Sequence, residues 1–212
     1  ANGSHTITAV ARDAAGNAAT SPGVAVTVDN PSLVTLAVPI AVGIDDADQL
    51  LDTGAIRRTN GDLELGSDGG IPTIVGLRFA GLGIPSGAVV EEAYVQFQTD
   101  ENGKTAANLT VQAERADNAA SFTTAAFGIS SRPRTAASVA WSPPQWVGVG
   151  EAGPNQRTPD LRSVLQEVVS RPGWSAGNAL VVLVTGTGRR TPESFEGGAP
   201  PVLHVSFTVP GS

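Results

Sequence analysis

Carboxylates are the chemically capable groups that the sequence gathers: Asp45, Asp46, Asp48 and Asp52 in one run, Asp62, Glu64 and Asp68 in the next, Glu193 and Glu196 near the end. Calcium takes about six to eight oxygens from carboxylates and loop carbonyls. The Gly- and Asp-rich stretches on either side of residues 73–79 offer both, which makes Asp45, Asp46, Asp48, Asp62, Glu64 and Asp68 the expected calcium ligands. Their spacing is not that of an EF-hand. A solvated acidic rim that keeps the chain in solution accounts for the same residues. Paired carboxylates also hydrolyse glycosidic bonds, but that chemistry needs a shaped, aromatic-lined cleft, and the sequence marks out none.

Other catalytic sets are incomplete. A serine nucleophile needs a base, usually a histidine held by a carboxylate. The chain has two histidines, His5 in an opening hairpin and His204 on the polar side of the last strand. Neither has a partner at zinc-ligand spacing, and both read as structural. No cysteine is present, so disulfides, thiolate metal sites and cysteine nucleophiles are absent. Gly148 to Gly153 spell the dinucleotide fingerprint, yet no βαβ unit surrounds them and Pro154 to Arg157 separate them from the next helix; the stretch is a loop. We therefore expect no enzyme.

Sugar binding is the remaining side-chain chemistry, because pyranose rings stack on exposed indoles. Trp141 and Trp174 are expected to pack under a helix, whereas Trp146, after Pro143-Pro144 and before the glycine loop, is the tryptophan expected at the surface. Arg78, Tyr94 and Gln96 fall on the polar sides of their strands. With Trp146 they form the expected ligand-binding set.

The elements that must hold these groups are strands. Val202–Val209 alternates Leu203, Val205, Phe207 and Val209 against His204, Ser206 and Thr208, and residues 89–98 alternate in the same way. Further strands are expected over 35–42, 73–79, 109–114 and 179–184, the last apolar on both sides and hence central in a sandwich. One helix follows Thr158 as cap and Pro159 as first residue, carries Leu161, Val164, Leu165 and Val168 on one stripe, and stops at Arg171-Pro172-Gly173. Residues 3–28 form a hairpin around Asp13 to Asn17, with Val24, Val26 and Val28 on one face. Such a ribbon is marginal alone in water. It is expected to pack on the following domain or to complete a sheet in another chain.

Bulk properties agree. The 25 glycines, 15 prolines and low charged fraction of 16% fit an all-β sandwich. Twenty acidic against 13 basic residues give a net charge of −7, a field that repels phosphate backbones and anionic lipid. Nucleic acid and direct membrane insertion are not expected. The longest apolar runs, 34–42 and 179–184, fall well below the ~20 residues of a membrane helix. The absence of methionine suggests that the chain starts inside a longer product.

The string GSHTITAVARDAAGNAATSPGVAVTVDN resembles the last strands of bacterial immunoglobulin-like repeats over residues 2–30. The stretches VGLRFAGLGIPSGAVVEEAYVQFQ (75–98), ASVAWSPPQW (137–146), RTPDLRSVLQEVVSRPGW (157–174) and GTGRRTPESFEGGAPPVLHVSF (186–207) resemble the DNRLRE-type modules of secreted bacterial and archaeal proteins. That likeness implies a jelly-roll, often beside carbohydrate-active or phosphatase domains, and in some relatives binding to acidic polysaccharides such as alginate. The GRR…ESFEGG string departs from the shorter loop of many relatives. The expected organisation is a partial immunoglobulin-like hairpin (1–30), a linker with a first strand (31–43) and a jelly-roll β-sandwich with one short helix (44–212). The expected role is that of a non-catalytic extracellular or bacterial cell-surface module, a stalk, adhesin or filament subunit that meets neighbouring domains or identical subunits, some by strand pairing. The alternative is a carbohydrate-binding accessory domain of a secreted enzyme.

Overall fold

A computed structural model describes residues 2–209; Ala1 and the last three residues of the expected 44–212 domain lie outside the described residues. The chain is an all-β sandwich with one short helix, preceded by a two-stranded ribbon. In the ribbon β1 (Gly3–Ile7), β2 (Val10–Arg12), β3 (Ala18–Thr20) and β4 (Val24–Val28) run out and back, β1 pairing with β4 and β2 with β3. Asp13 closes the tip, accepting the N–H groups of Ala15 and Asn17 at 2.9 Å each, and an Asn2–Asn30 exchange closes the base.

β5 (Ser32–Pro39) leads directly into the sandwich. There follow β6 (Asp46–Leu50), β7 (Ile56–Arg57), β8 (Ser67–Asp68), β9 (Ile71–Phe79), β10 (Val89–Gln96), β11 (Thr99–Glu101), β12 (Asn108–Ala113) and β13 (Val139–Trp141). The chain ends with α1 (Arg162–Val169), β14 (Leu180–Thr187), β15 (Thr191–Pro192) and β16 (Val202–Val209). One sheet has the order β10-β16-β5; the other has the order β13-β12-β14-β9-β6-β7 with β8 on β9, and β11 pairs with β15.

The alternation read in the sequence settles which side chains meet. Leu203, Val205 and Phe207 face inward with Ala93, Val95 and Phe97, and meet Val75, Leu77 and Phe79 of the larger sheet in one core. The stripe of α1, with Leu161, Val164, Leu165 and Val168, closes that core at one side. β14 is apolar on both faces because it serves two cores: Leu180, Val182 and Val184 enter the main one, while Val181 and Leu183 join Ala47, Ile74, Phe122 and Ile129 in a second. Gly76 permits that second layer, since a Cβ there would lie 2.5 Å from the Phe122 ring.

Two local expectations change. The first long strand spans 32–39 rather than 35–42, because its register is set by pairing with β16, from Val202↔Pro39 to Val209↔Ser32. It lies in the smaller sheet, in the order β10-β16-β5. The helix starts at Arg162, not Pro159. Its lead-in runs instead along the outer edge of β10: the N–H of Val95 donates to Thr158 Oγ1, that of Ala93 to Asp160 Oδ1 and that of Phe97 to the Gln156 carbonyl, while Val90 N–H donates to Gln166 of the helix. The polar residues that suggested a helix cap satisfy a strand edge, a competing use of the same short side chains.

Two placements were expected for the ribbon, on its own sandwich or in a sheet of another chain. Ile7, Val10 and Val24 are 59%, 56% and 63% exposed, and no described residue before Leu36 joins either core.

Candidate functional site

The carboxylates expected to gather around calcium do not gather around one point. Asp45 is buried, and both its oxygens accept from Arg78 Nη1 at 2.9 Å, with Ser121 as a further donor. Asp46, also buried, accepts the Phe195 N–H at 2.8 Å; burial, with Glu196 and Asp45 nearby, pushes its pKa up to about 6. Asp48 and Asp68 share Arg57, whose pKa is raised by its hydrogen bonds to them. Glu64 accepts Arg189 Nε at 2.8 Å and Thr191 Oγ1 at 3.1 Å.

Five of the six expected ligands are thus bound to protein donors. The physical reason is the scarcity of unpaired buried charge: a carboxylate folded under a sheet must find an arginine or an N–H. Asp62 alone stands in a carboxylate group, with Asp100 and Glu101, whose nearest oxygens lie within 4.8 Å of one another. Glu193 lies beside Asp100, and burial followed by its acidic neighbours raises its pKa and that of Asp62. Glu101 is at the same time paired with Arg189. With Glu193 the group has four carboxylates, one of them committed to Arg189, where calcium takes about six to eight oxygens.

The expected ligand-binding set is also dispersed. Trp146, expected at the surface, is 0% exposed: its ring lies 6.4 Å from those of Phe97 and Trp141, and its Nε1 donates to the Asn155 carbonyl at 2.9 Å. The Pro-Pro and glycine loops fold over it, so flexible-looking flanks misled. Trp141 and Trp174 are buried as expected, Trp141 stacked on Phe97 and Trp174 donating to the Ile84 carbonyl. Arg78 sits on the larger sheet, occupied by Asp45. Gln96 donates to the carbonyls of Phe97 and Gly153.

Tyr94 does lie on the solvent face of the smaller sheet, but in company that the sequence did not disclose. His204 stacks on it with centroids 4.7 Å apart, and the Arg157 guanidinium lies 4.4 Å from the ring centre. β16 brings His204 from one side of β10, and the lead-in to α1 brings Arg157 from the other. Both ring faces are covered. A pyranose needs one open. Burial, then the Arg157 charge, lowers the His204 pKa. Beside the stack lies a shallow depression of about 220 Å³, bordered by Leu33, Thr35, Glu92, Tyr94, His204 and Ser206.

A buried charge escaped sequence reading altogether. Arg190 is 1% exposed and has no carboxylate partner; it donates to the carbonyls of Pro143, Pro144, Thr105 and Arg189 at 2.6–3.0 Å. Burial lowers its pKa. The double proline is its only sequence signal, since prolines present carbonyls without competing N–H groups.

What the surface offers in quantity is backbone. The ribbon carries apolar side chains in the open, and β5 forms one border of the smaller sheet. No protein-family model matches the chain, and no curated protein matches it.

Proposed function

We propose that the chain is a non-catalytic structural or interaction module of a secreted or cell-surface protein, and that it works by pairing strands with a neighbouring subunit or domain. One observation carries this: the ribbon β1–β4 is a regular hydrogen-bonded ladder whose apolar side, with Ile7 and Val24 opposite each other, joins neither core of the described residues and leaves both side chains exposed. Two strands without a covered face are marginal in water, and β-augmentation adds a strand through main-chain hydrogen bonds to an open edge, which a two-stranded ribbon presents on both sides. The likeness of residues 2–30 to the closing strands of an immunoglobulin-like sandwich supports the same role, since those strands belong against a facing sheet. The likeness to DNRLRE-type modules supports a secreted or surface location.

The test is association measured by light scattering and sedimentation. Ile7→Lys with Val24→Glu removes the apolar side while keeping opposite charges across the strands, which preserves the hairpin. Association that weakens in this double variant supports the ribbon as the interface. A chain that is monomeric throughout, or equally associated with and without the change, refutes it.

A further inference from the structure

We propose that β5 is a second pairing edge, and that its partner is β5 of another copy of this chain, antiparallel and centred on Thr35. The inference rests on the assembly role above but on a different element.

The four lateral borders of the two sheets are treated unequally. In the larger sheet the borders are β7 and β13, two and three residues long. In the smaller sheet the β10 border is covered: Val90, Ala93, Val95 and Phe97 spend their outward N–H groups on α1 and its lead-in. The β5 border is eight residues long and has no strand or helix beside it among the described residues. Natural sheets blunt such borders with lysine, proline, a bulge or an inward charge. SLVTLAVP has only the proline at its end, and its register against β16 is unbroken.

Which backbone groups are free follows from the ladder. Ile40 N–H donates to the Pro201 carbonyl, so in antiparallel alternation Val38, Leu36, Val34 and Ser32 turn toward β16. Leu33, Thr35 and Ala37 therefore turn their N–H and C=O outward. Pro31 and Pro39, which lack an N–H, stand four residues to either side of Thr35. The donor row is symmetric about that residue and ends at a proline in both directions.

A two-fold axis at Thr35 uses this layout fully. Thr35 meets Thr35 of the second copy, Leu33 meets Ala37 and Ala37 meets Leu33. Every outward donor then faces a residue that donates back, giving six hydrogen bonds. Shifting the register by two residues sets Leu33 or Ala37 against a proline that cannot reciprocate. Side chains agree. On the outer face Leu33, 63% exposed, comes to lie over Ala37 beside His204 of the other copy, at the shallow depression described above. On the inner face Val34 meets Leu36, extending both cores. No charge lies in the strand, so a second copy brings no like-charge contact. The product is one continuous six-stranded sheet.

The chain has no cysteine, so single thiols report the register. Under mild oxidation Thr35→Cys should cross-link to itself, whereas Leu33→Cys and Ala37→Cys should cross-link efficiently only when mixed. In light scattering, Thr35→Asp, which sets two carboxylates face to face at an exposed position, should weaken dimerisation about tenfold or more with an unchanged circular dichroism spectrum. A dimer that survives Thr35→Asp but is lost in Ile7→Lys/Val24→Glu overturns the β5 contact and leaves the ribbon interface standing. The opposite pattern supports β5 and removes the ribbon. Equal self-linking at all three cysteine positions, or a chain that stays monomeric, overturns the proposal.

Discussion

Asp46 sets a pH dependence that can be worked from its surroundings. Its carboxyl is 1% exposed, has the Phe195 N–H as its donor, and faces Glu196 and Asp45. Burial first, then those charges, raises its pKa from 3.8 to about 6. A carboxyl whose folded pKa lies above its unfolded one binds protons more tightly in the native state, so its stabilisation is complete below the unfolded value and is lost as pH rises through the folded one. About two units at roughly 1.4 kcal/mol each give a penalty on the order of 3 kcal/mol at about pH 8. Asp46→Asn removes it. The amide oxygen can still accept from Phe195, while its buried NH₂ costs about 1 kcal/mol or more, leaving a net gain of about 2 kcal/mol. Urea unfolding of both proteins from about pH 4 to pH 8 isolates the effect. The variant should be slightly less stable at the acid end and gain on the wild type through about pH 6. A difference that is flat with pH, or that moves against the variant as pH rises, refutes the assignment.

Two further substitutions probe the buried aromatic cluster and the buried guanidinium. Trp146→Ala should cost about 3–5 kcal/mol in urea unfolding, the range for a large buried aromatic; a cost below about 1 kcal/mol would show the indole to be peripheral. Arg190→Lys should lose about 3 kcal/mol, almost as much as Arg190→Met, because one ammonium cannot reach carbonyls on three segments. Wild-type stability in Arg190→Lys would show that charge, not the planar fork, holds the loops.

The strands were legible because alternation is local. Val202–Val209 carries both its faces and its limits in its own residues, and the doubly apolar 179–184 run announced a central strand buried on both sides, though not the second core that covers one of them. β5 shows where that stops: its alternation was visible, but its limits depend on β16, some 170 residues away. The helix start failed differently, since Thr158 and Asp160 have the chemistry of a cap and the structure uses it on β10. Among site residues, the carboxylates were recognised as a class but not by destination, because whether Asp48 meets a cation or Arg57 is decided by the pairing of β6 with β7. Asp100 joins Asp62 through a contact across the fold, and Arg157 reaches Tyr94 the same way. No spacing in the sequence records either.

The setting of Arg190 carries a consequence for how the molecule comes apart. Carbonyl oxygens do not titrate, and a guanidinium stays protonated over any ordinary range, so the knot that ties residues 105, 143, 144 and 189 is indifferent to acidity. The clasp made by Asp48 on Arg57 is not, since burial raises the Asp48 pKa and its carboxylate takes up a proton as pH falls. Acid therefore dissolves an ion pair between β6 and β7 while leaving the contacts of Arg190 as they were.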